Sequence, residues 1–176
     1  MLETDRLLLR RLSLDDFEFI RRLVNEASFI KNIGDRGVRN DDDARSYIQN
    51  GPLASYERFG FGLYLIELKD SSTPIGICGL LKRDSFEFPD LGYALLPDYW
   101  SRGYALEAAS SVLNYARNEL NLHRLLAIVN ADNFASIRLL EKCGFRFENT
   151  VRLADEAEVQ LYSCDLPAHT PDYLTT

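Results

Sequence analysis

The chain has 176 residues, of which 46% are hydrophobic and 27% charged, a balance typical of one soluble globular domain. Its formal net charge of −7 argues against general nucleic-acid binding, which depends on basic patches, and fits a cationic partner such as an amine better. The sequence has neither a long apolar run nor a signal-peptide pattern, so we expect a cytoplasmic protein with no membrane partner.

The first half of the chain predicts one strand, two helices and a meander of three strands. Residues 6–12 form the first strand, and Ser13 caps the following helix with Asp16 as its capping partner. A loop is expected over residues 29–40, which contain two glycines and show no clear period, and a second short helix is expected to end at Gly51 and Pro52. The three strands then cover residues 61–68, 75–81 and 88–96.

The second half predicts a long helix opening near Gly103, a strand over residues 124–129 and a helix over 134–142. Asn133 is a good N-cap for that last helix, and Gly144 suits the left-handed position that follows it. The final strands are residues 145–151 and 158–166, and the tail over 167–176 is expected to fray.

The resulting order, β-α-α-β-β-β-α-β-α-β-β, predicts a single α+β layered domain over residues 1–166, in which helices flank a mixed sheet. Three cysteines, Cys78, Cys143 and Cys164, are odd in number and lack metal-ligand spacing. We therefore expect reduced thiols and no metal site.

The turn between the strand that ends near Leu96 and the long helix is a candidate anion site. Glycine allows close approach of the backbone, and a helix N-terminus offers unpaired N–H groups. A basic side chain in the turn adds a cation. The candidate pyrophosphate cradle consists of Ser101, Arg102, Gly103, Tyr104, Ala105 and Leu106. The alternative is a strand–helix corner in which the glycine only relieves crowding.

Two stretches resemble the GNAT superfamily of N-acetyltransferases. The segment WSRGYALEA (residues 100–108) resembles its acetyl-CoA loop, [Q/R]xxGx[G/A]; Gly103 and Ala105 match, and Trp100 stands where Gln or Arg is usual, as in the RimJ/RimL-type branch. Ser101 replaces the glycine usual in that branch. The segment VNADNFASIRLLEKCGF (residues 129–145) resembles the family pattern NxxSxxLxEKxGF, and the resemblance extends over residues 3–166.

The resemblance implies a GNAT fold, with a mixed, mostly antiparallel sheet, and acetyl-CoA as cosubstrate. In that family the strand before the loop and the strand after the long helix splay apart, which leaves a wedge for the pantetheine arm. The backbone of Leu95 and Leu96 would then pair with the arm. The N-terminal helices and residues 30–40 would form one wall of the acceptor site; the other reading of residues 30–40 is an ordinary connector.

Acetyl transfer needs a neutral amine and a stabilised leaving thiolate. Asp90 and Glu87 are candidate bases that would relay a proton through water, and the alternative for each is a solvated hairpin charge. Glu107 matches the family's Glu, and we interpret it as structural. Because Leu140 occupies the position where many members carry a Tyr, the resemblance points to Ser136 as the group that contacts the thiolate.

Ser136 has a second reading, as a serine that only bonds its own backbone. Asn133 is expected to act both as N-cap and as a hydrogen-bond partner of the pantetheine. His123 is interpreted as structural or exposed.

These residues predict an acetyl-CoA-dependent N-acetyltransferase that works by direct transfer in a ternary complex. At pH 7, deprotonation costs roughly 1 kcal/mol for an α-amine and roughly 4–5 kcal/mol for a lysine amine. A protein N-terminus is therefore the first candidate acceptor, since no strong base is evident. Alternatives are a small amine (an aminoglycoside, polyamine or amino acid) and a non-catalytic acyl-CoA-binding module. Both a monomer and a homodimer are open.

Overall fold

The computed structural model describes residues 1–153 and 158–167; most of the tail expected to fray lies outside them. The strands are β1 (Leu2–Glu3), β2 (Leu7–Arg11), β3 (Leu63–Leu68), β4 (Pro74–Leu81), β5 (Asp90–Leu95), β6 (Arg124–Val129), β7 (Arg146–Arg152) and β8 (Glu158–Asp165). The helices are α1 (Phe17–Val24), α2 (Ala27–Asn32), α3 (Asp41–Ile48), α4 (Ala54–Phe59), α5 (Tyr104–Asn118) and α6 (Phe134–Lys142). None of these helices is long and apolar enough to cross a membrane.

The strands form one sheet in the order β1-β2-β3-β4-β5-β6-β8-β7. Every neighbouring pair is antiparallel except β5 and β6, which are parallel, so the sheet is mixed and mostly antiparallel as predicted. Helices cover both faces. One buried cluster joins the sheet to α5 and α6, and a second joins the opposite face to α1, α2 and α3.

The N-terminal region contains more helix than the sequence predicted. Residues 29–40 were expected to form a loop, but α2 runs through Asn32 because buried Phe29 anchors it in the second cluster. The prediction that Gly51 and Pro52 end a helix is also wrong. The backbone widens into a π-type turn at residues 49–53, which accommodates a proline without its N–H, and helical structure continues into α4 until left-handed Gly60.

Strands β5 and β6 separate almost as soon as they meet. Their only register pair in the described sheet is Asp90 with Leu126, next to a bond from the Leu126 N–H to the Pro89 carbonyl at 2.9 Å. Beyond that point β5 stays paired to β4, and β6 to β8, so the two strands diverge with their outer edges held. The gap is a wedge, closed at Asp90 and open toward Leu95 and Val129.

Helix α5 is tied to the N-terminal strands through Glu107. Its Oε1 accepts from Thr4 Oγ1 at 2.6 Å and from the Arg6 N–H at 2.9 Å, and its Oε2 accepts from Arg6 Nε at 2.7 Å. Partial burial raises the pKa of Glu107, but the bonds from Thr4 and Arg6 outweigh it and hold the pKa below its usual value. This carboxylate is structural, in agreement with its interpretation from the sequence.

We expect the Glu107 bonds to stabilise the protein above the unfolded-state pKa of a glutamate, about 4.3, and to be lost as the pH falls through the lower folded-state pKa. Glu107→Gln should therefore cost about 1 kcal/mol of unfolding free energy at pH 7 and progressively less toward pH 3. Urea unfolding at several pH values measures this. Glu119→Gln, at the far end of α5, is the control, and a Glu107→Gln effect independent of pH would contradict the assignment.

Candidate active site

The cradle lies at the N-terminus of α5, at the open end of the wedge. Ser101 and Gly103 both have left-handed backbone conformations, with φ of 58° and 82°. The first bond within the helix runs from the Glu107 N–H to the Gly103 carbonyl at 3.0 Å, so the N–H groups of residues 104–106 precede the helical ladder. The turn therefore presents backbone donors and the positive end of a helix dipole to one point.

Arg6 holds this turn in place, a role that the sequence analysis missed. Its Nη1 donates to the Arg102 carbonyl at 3.0 Å, while the same guanidinium pairs with Glu107 and lies 4.5 Å from the centre of the Tyr104 ring. A Cβ added at Gly103 would lie 3.3 Å from Arg6 Nη2. A side chain at Gly103 would therefore be strained by the φ of 82° and would crowd Arg6, whose guanidinium anchors the carbonyl beside it.

At the end of β5 the structure leaves fewer free backbone groups than expected. The Leu96 N–H donates to the Ile75 carbonyl at 2.9 Å, and the Leu96 carbonyl accepts from the Tyr99 N–H at 3.0 Å. The Leu95 carbonyl accepts from Trp100 Nε1 at 2.9 Å, which gives Trp100 a structural role while its side chain remains partly exposed. Leu95 and Gly76 form a non-hydrogen-bonded pair of the antiparallel β4–β5 ladder. The N–H of Leu95 therefore points away from β4 and toward the wedge.

The other wall of the wedge carries Asn133 and Ser136. The Asn133 side chain accepts from the Ser136 N–H at 3.2 Å, which confirms the predicted N-cap. Ser136 is partly buried in the first turn of α6, and its carbonyl accepts from the hydroxyl of Tyr93 on β5 at 3.4 Å. Leu140, at the family's Tyr position, is a buried core residue.

The two candidate bases have different environments. Asp90 is 1% exposed at the closed end of the wedge, and both its carboxylate oxygens accept from Arg83 Nε, at 3.0 and 3.2 Å. Burial raises the pKa of Asp90, and the Arg83 guanidinium only partly offsets this effect. The reading of Asp90 as a solvated charge is therefore wrong, whereas Glu87 is exposed on the β4–β5 hairpin.

Strand alternation places Asp90 on the sheet face that α1, α2 and α3 cover. Ala94 and Leu96 pack in the cluster on that face, and Leu91 and Leu95 pack on the opposite one. The Asp90 carboxylate therefore lies on the sheet face covered by the N-terminal helices, and Tyr93 lies on the face covered by α5 and α6.

The C-terminal end of α2 docks beside the open end of β6. Asn130 Nδ2 donates to the carbonyls of Lys31 and Asn32 at 3.3 and 3.4 Å, and Lys31 Nζ lies 3.2 Å from Asp132 Oδ2. These contacts bring the start of the 30–40 segment next to the wedge. Asn130 thus fastens the N-terminal helices to the loop that precedes α6.

The cysteines do not form a nucleophile or a metal site in the described part of the chain. Burial raises the pKa of the Cys78, Cys143 and Cys164 thiols, which keeps them protonated. Among the described residues, no group of three or more His, Cys, Asp or Glu side chains is placed to hold a metal ion. His123 packs edge-on against Phe88, with ring centres 5.3 Å apart.

Relatives in sequence carry the same domain. A family model described as "Acetyltransferase (GNAT) domain" matches residues 6–146. The uncharacterized N-acetyltransferase YoaA of Bacillus subtilis is 33% identical over 153 residues, which is 86% of each chain. The spermidine N(1)-acetyltransferase of Escherichia coli is 24% identical over 154 residues, covering 80% of this chain and 73% of that one.

Solved structures share the architecture. An acetyltransferase from Agrobacterium tumefaciens superposes with a TM-score of 0.80 at 27% identity, covering 94% of both chains. RimL, a ribosomal L7/L12 α-N-protein acetyltransferase solved with coenzyme A, superposes with a TM-score of 0.79 at 18% identity, covering 93% of this chain and 96% of that one. The family match over most of the chain, together with these relatives, establishes that this protein is an N-acetyltransferase of the GNAT superfamily.

Proposed function

We propose that the protein transfers the acetyl group of acetyl-CoA to the α-amine of a peptide or protein N-terminus, by direct transfer in a ternary complex. The main support for acetyl-CoA as cosubstrate is the cradle at residues 101–106. There, two left-handed residues and a helix N-terminus bring several backbone N–H donors together. RimL, which shares this fold, was solved with coenzyme A.

The residues present fit acetyl-CoA, with its pyrophosphate at the cradle and its pantetheine arm in the wedge. The α5 N-terminus and Arg102 would bind the pyrophosphate, and the Leu95 N–H would pair with the arm as an added strand does. Asn133 orients the arm from the opposite wall. When bound, the cosubstrate supplies an activated thioester whose acyl carbon accepts the amine.

The acceptor is argued from the carboxylates near the N-terminal helices. Four of these carboxylates pair with a base: Asp35 with Arg39, Asp41 with Arg21 at 2.6 Å, Asp98 with Arg22 at 3.6 Å, and Asp132 with Lys31 at 3.2 Å. A polyamine site needs unneutralised carboxylates, and these are already balanced. A single weakly basic amine therefore suits this side of the wedge better.

Asp90 supports the same choice. Although burial raises the pKa of Asp90, a carboxylate remains a much weaker base than an aliphatic amine, so it serves best when the amine is already partly neutral. An α-amine, whose pKa of about 7.7–8.0 lies near neutrality, meets that condition, and a lysine amine with a pKa of about 10.4 does not. We assign Asp90 the relay of the amine proton through water.

Measuring activity with a panel of different amines tests this proposal directly. We expect CoA release from acetyl-CoA with peptides beginning Ala, Ser or Met, and at least about tenfold lower kcat/KM with spermidine, aminoglycosides and free amino acids. The same peptides with a blocked N-terminus and a free lysine are the control. Turnover confined to polyamines or aminoglycosides would overturn the peptide assignment and move the acceptor to the small amines.

Gly103→Glu tests the cradle separately from the acceptor. A side chain there is strained by the φ of 82°, meets Arg6 Nη2 and adds negative charge where the pyrophosphate binds, so acetyl-CoA affinity should fall by roughly 100-fold or more in calorimetric titration. Gly51→Glu is the matched control, because Gly51 is exposed in the turn between α3 and α4 and has open space around its Cβ position. Unchanged affinity in folded Gly103→Glu protein would refute the cradle.

Ser136→Ala tests the proposed contact between the Ser136 hydroxyl and the thiolate. Loss of one hydrogen bond to a developing charge should lower kcat by roughly tenfold, with a smaller change in acetyl-CoA affinity, because the bond strengthens only as the C–S bond breaks. Steady-state kinetics and calorimetry give the two quantities, with Ser111→Ala on α5 as the control. An unchanged kcat would make Ser136 a local helix residue.

A further inference from the structure

Tyr93 spans the wedge. It lies on β5 three residues beyond the Asp90–Leu126 pair, where β5 and β6 have separated. Its hydroxyl reaches the Ser136 carbonyl, 3.4 Å away in the first turn of α6, the helix that follows β6. The phenol therefore starts on one wall and ends on the other, on the α5–α6 side, and it remains only partly buried.

The hydroxyl of Tyr93 is loosely held in this position. The Ser136 carbonyl lies in a helix and accepts a hydrogen bond from the N–H four residues later. The Tyr93 hydroxyl is therefore a second donor to the same carbonyl. Its 3.4 Å distance is long for an O–H···O bond, which is ordinarily 2.5–3.0 Å. A better acceptor that enters the wedge can thus take the hydroxyl without loss of a strong bond.

We propose that the Tyr93 hydroxyl donates a hydrogen bond to the sulfur of the departing thiolate and, with Ser136, does there what a Tyr at position 140 would do. Leu140 is a buried apolar residue, so position 140 supplies no donor. Tyr93 and Ser136 lie together on the side of the wedge opposite Asp90, which separates the leaving-group side from the proton-relay side. The inference rests on the proposed use of acetyl-CoA.

Tyr93 acts as a neutral donor and keeps its proton. An ordinary phenol has a pKa of about 10 and a thiol about 8.5, so full proton transfer to the thiolate is uphill. Burial raises the pKa of Tyr93 further, although the nearby Ser136 side chain opposes this effect. A hydroxyl that stays protonated can stabilise negative charge on sulfur at every working pH.

The step balances without any further reactant. The amine nitrogen attacks the acyl carbon and forms the C–N bond, the C–S bond breaks, and its electron pair stays on sulfur. The nitrogen loses its proton through water to Asp90, which releases it to solvent. The thiolate, hydrogen-bonded to Tyr93 while it forms, then takes a proton from solvent as CoA is released.

Tyr93→Phe tests the kinetic part. It keeps the ring and removes only the hydroxyl, so kcat should fall by roughly 10- to 100-fold with little change in the KM for acetyl-CoA. The loss should be the same from about pH 6.5 to 9, because the phenol does not ionise in that range. Tyr115→Phe is the matched control: it removes a phenol on α5 whose ring packs edge-on against Tyr64, and it should retain wild-type kcat.

A binding measurement gives a readout besides activity. At about pH 9, where free CoA is largely thiolate, wild-type protein and Tyr115→Phe should bind CoA more tightly than desulfo-CoA, which lacks the sulfur. In Tyr93→Phe this preference should shrink by at least about fivefold. Calorimetric titration with the two ligands measures it, and thermal unfolding checks that each variant is folded.

The outcomes separate this inference from the proposed function. A wild-type kcat in Tyr93→Phe would overturn this inference. A lower kcat with the preference for CoA over desulfo-CoA unchanged would also overturn it, because Tyr93 would then only support the position of α6. If wild-type protein bound neither acetyl-CoA nor CoA, the proposed function would fail together with this inference. Peptide turnover by wild-type protein, with both Tyr93 effects present, supports both.

Discussion

The single register pair between β5 and β6 is the constraint on which the site depends. A continuous sheet would satisfy the backbone groups on both inner edges, and each such hydrogen bond contributes about 0.5–1.5 kcal/mol. This sheet forgoes most of them between two central strands. It can do so because β4 and β8 hold the outer edges of β5 and β6 along their length. The gap is therefore fixed in width and offers strand-like donors and acceptors to an extended ligand.

The cradle has a cost of its own, and Arg6 and Glu107 offset it. A non-glycine residue in the left-handed region, as at Ser101, costs about 1–2 kcal/mol, and the N–H groups at the α5 N-terminus make no helical bonds. The Arg6 guanidinium binds both the Arg102 carbonyl and the Glu107 carboxylate. One side chain from the β1–β2 turn thus fixes the loop and the first turn of the helix, so the donors are oriented before any ligand arrives.

Local patterns were enough to predict the second half of the fold, including the helix that starts just after Gly103. The bounds of β6 and α6, the Asn133 cap and left-handed Gly144 all follow from signals within a few residues of each other. The N-terminal helices were less readable. Helix α2 depends on the burial of Phe29 against distant residues, and Pro52 is tolerated only because the turn widens around it. Tertiary packing, which no short window contains, decided both.

The same limit explains which site residues escaped the sequence. Gly103, Asn133 and Ser136 belong to contiguous motifs, but Arg6 acts across 96 residues on the Arg102 carbonyl, and Tyr93 reaches Ser136 across 43. Nothing near Arg6 in the sequence distinguishes it from other arginines. Tyr93 had a partial signal, since an aromatic three residues after the start of the strand at the wedge must face one of its sides. Which side that is depends on which helices cover each face of the sheet, and the separation of β5 from β6 then exposes the residue to the wedge.

Charge illustrates the difference between composition and placement. A net charge of −7 was read as favouring a cationic partner, yet four acids around the N-terminal helices, Asp35, Asp41, Asp98 and Asp132, are paired with arginines or a lysine. Surface pairs of this kind contribute little to stability, but they cancel the local field that would attract a multiply charged amine. Asp90 is likewise neutralised in effect by Arg83, although it is buried. Net charge alone therefore does not identify the acceptor, since pairing removes part of the field that the composition implies.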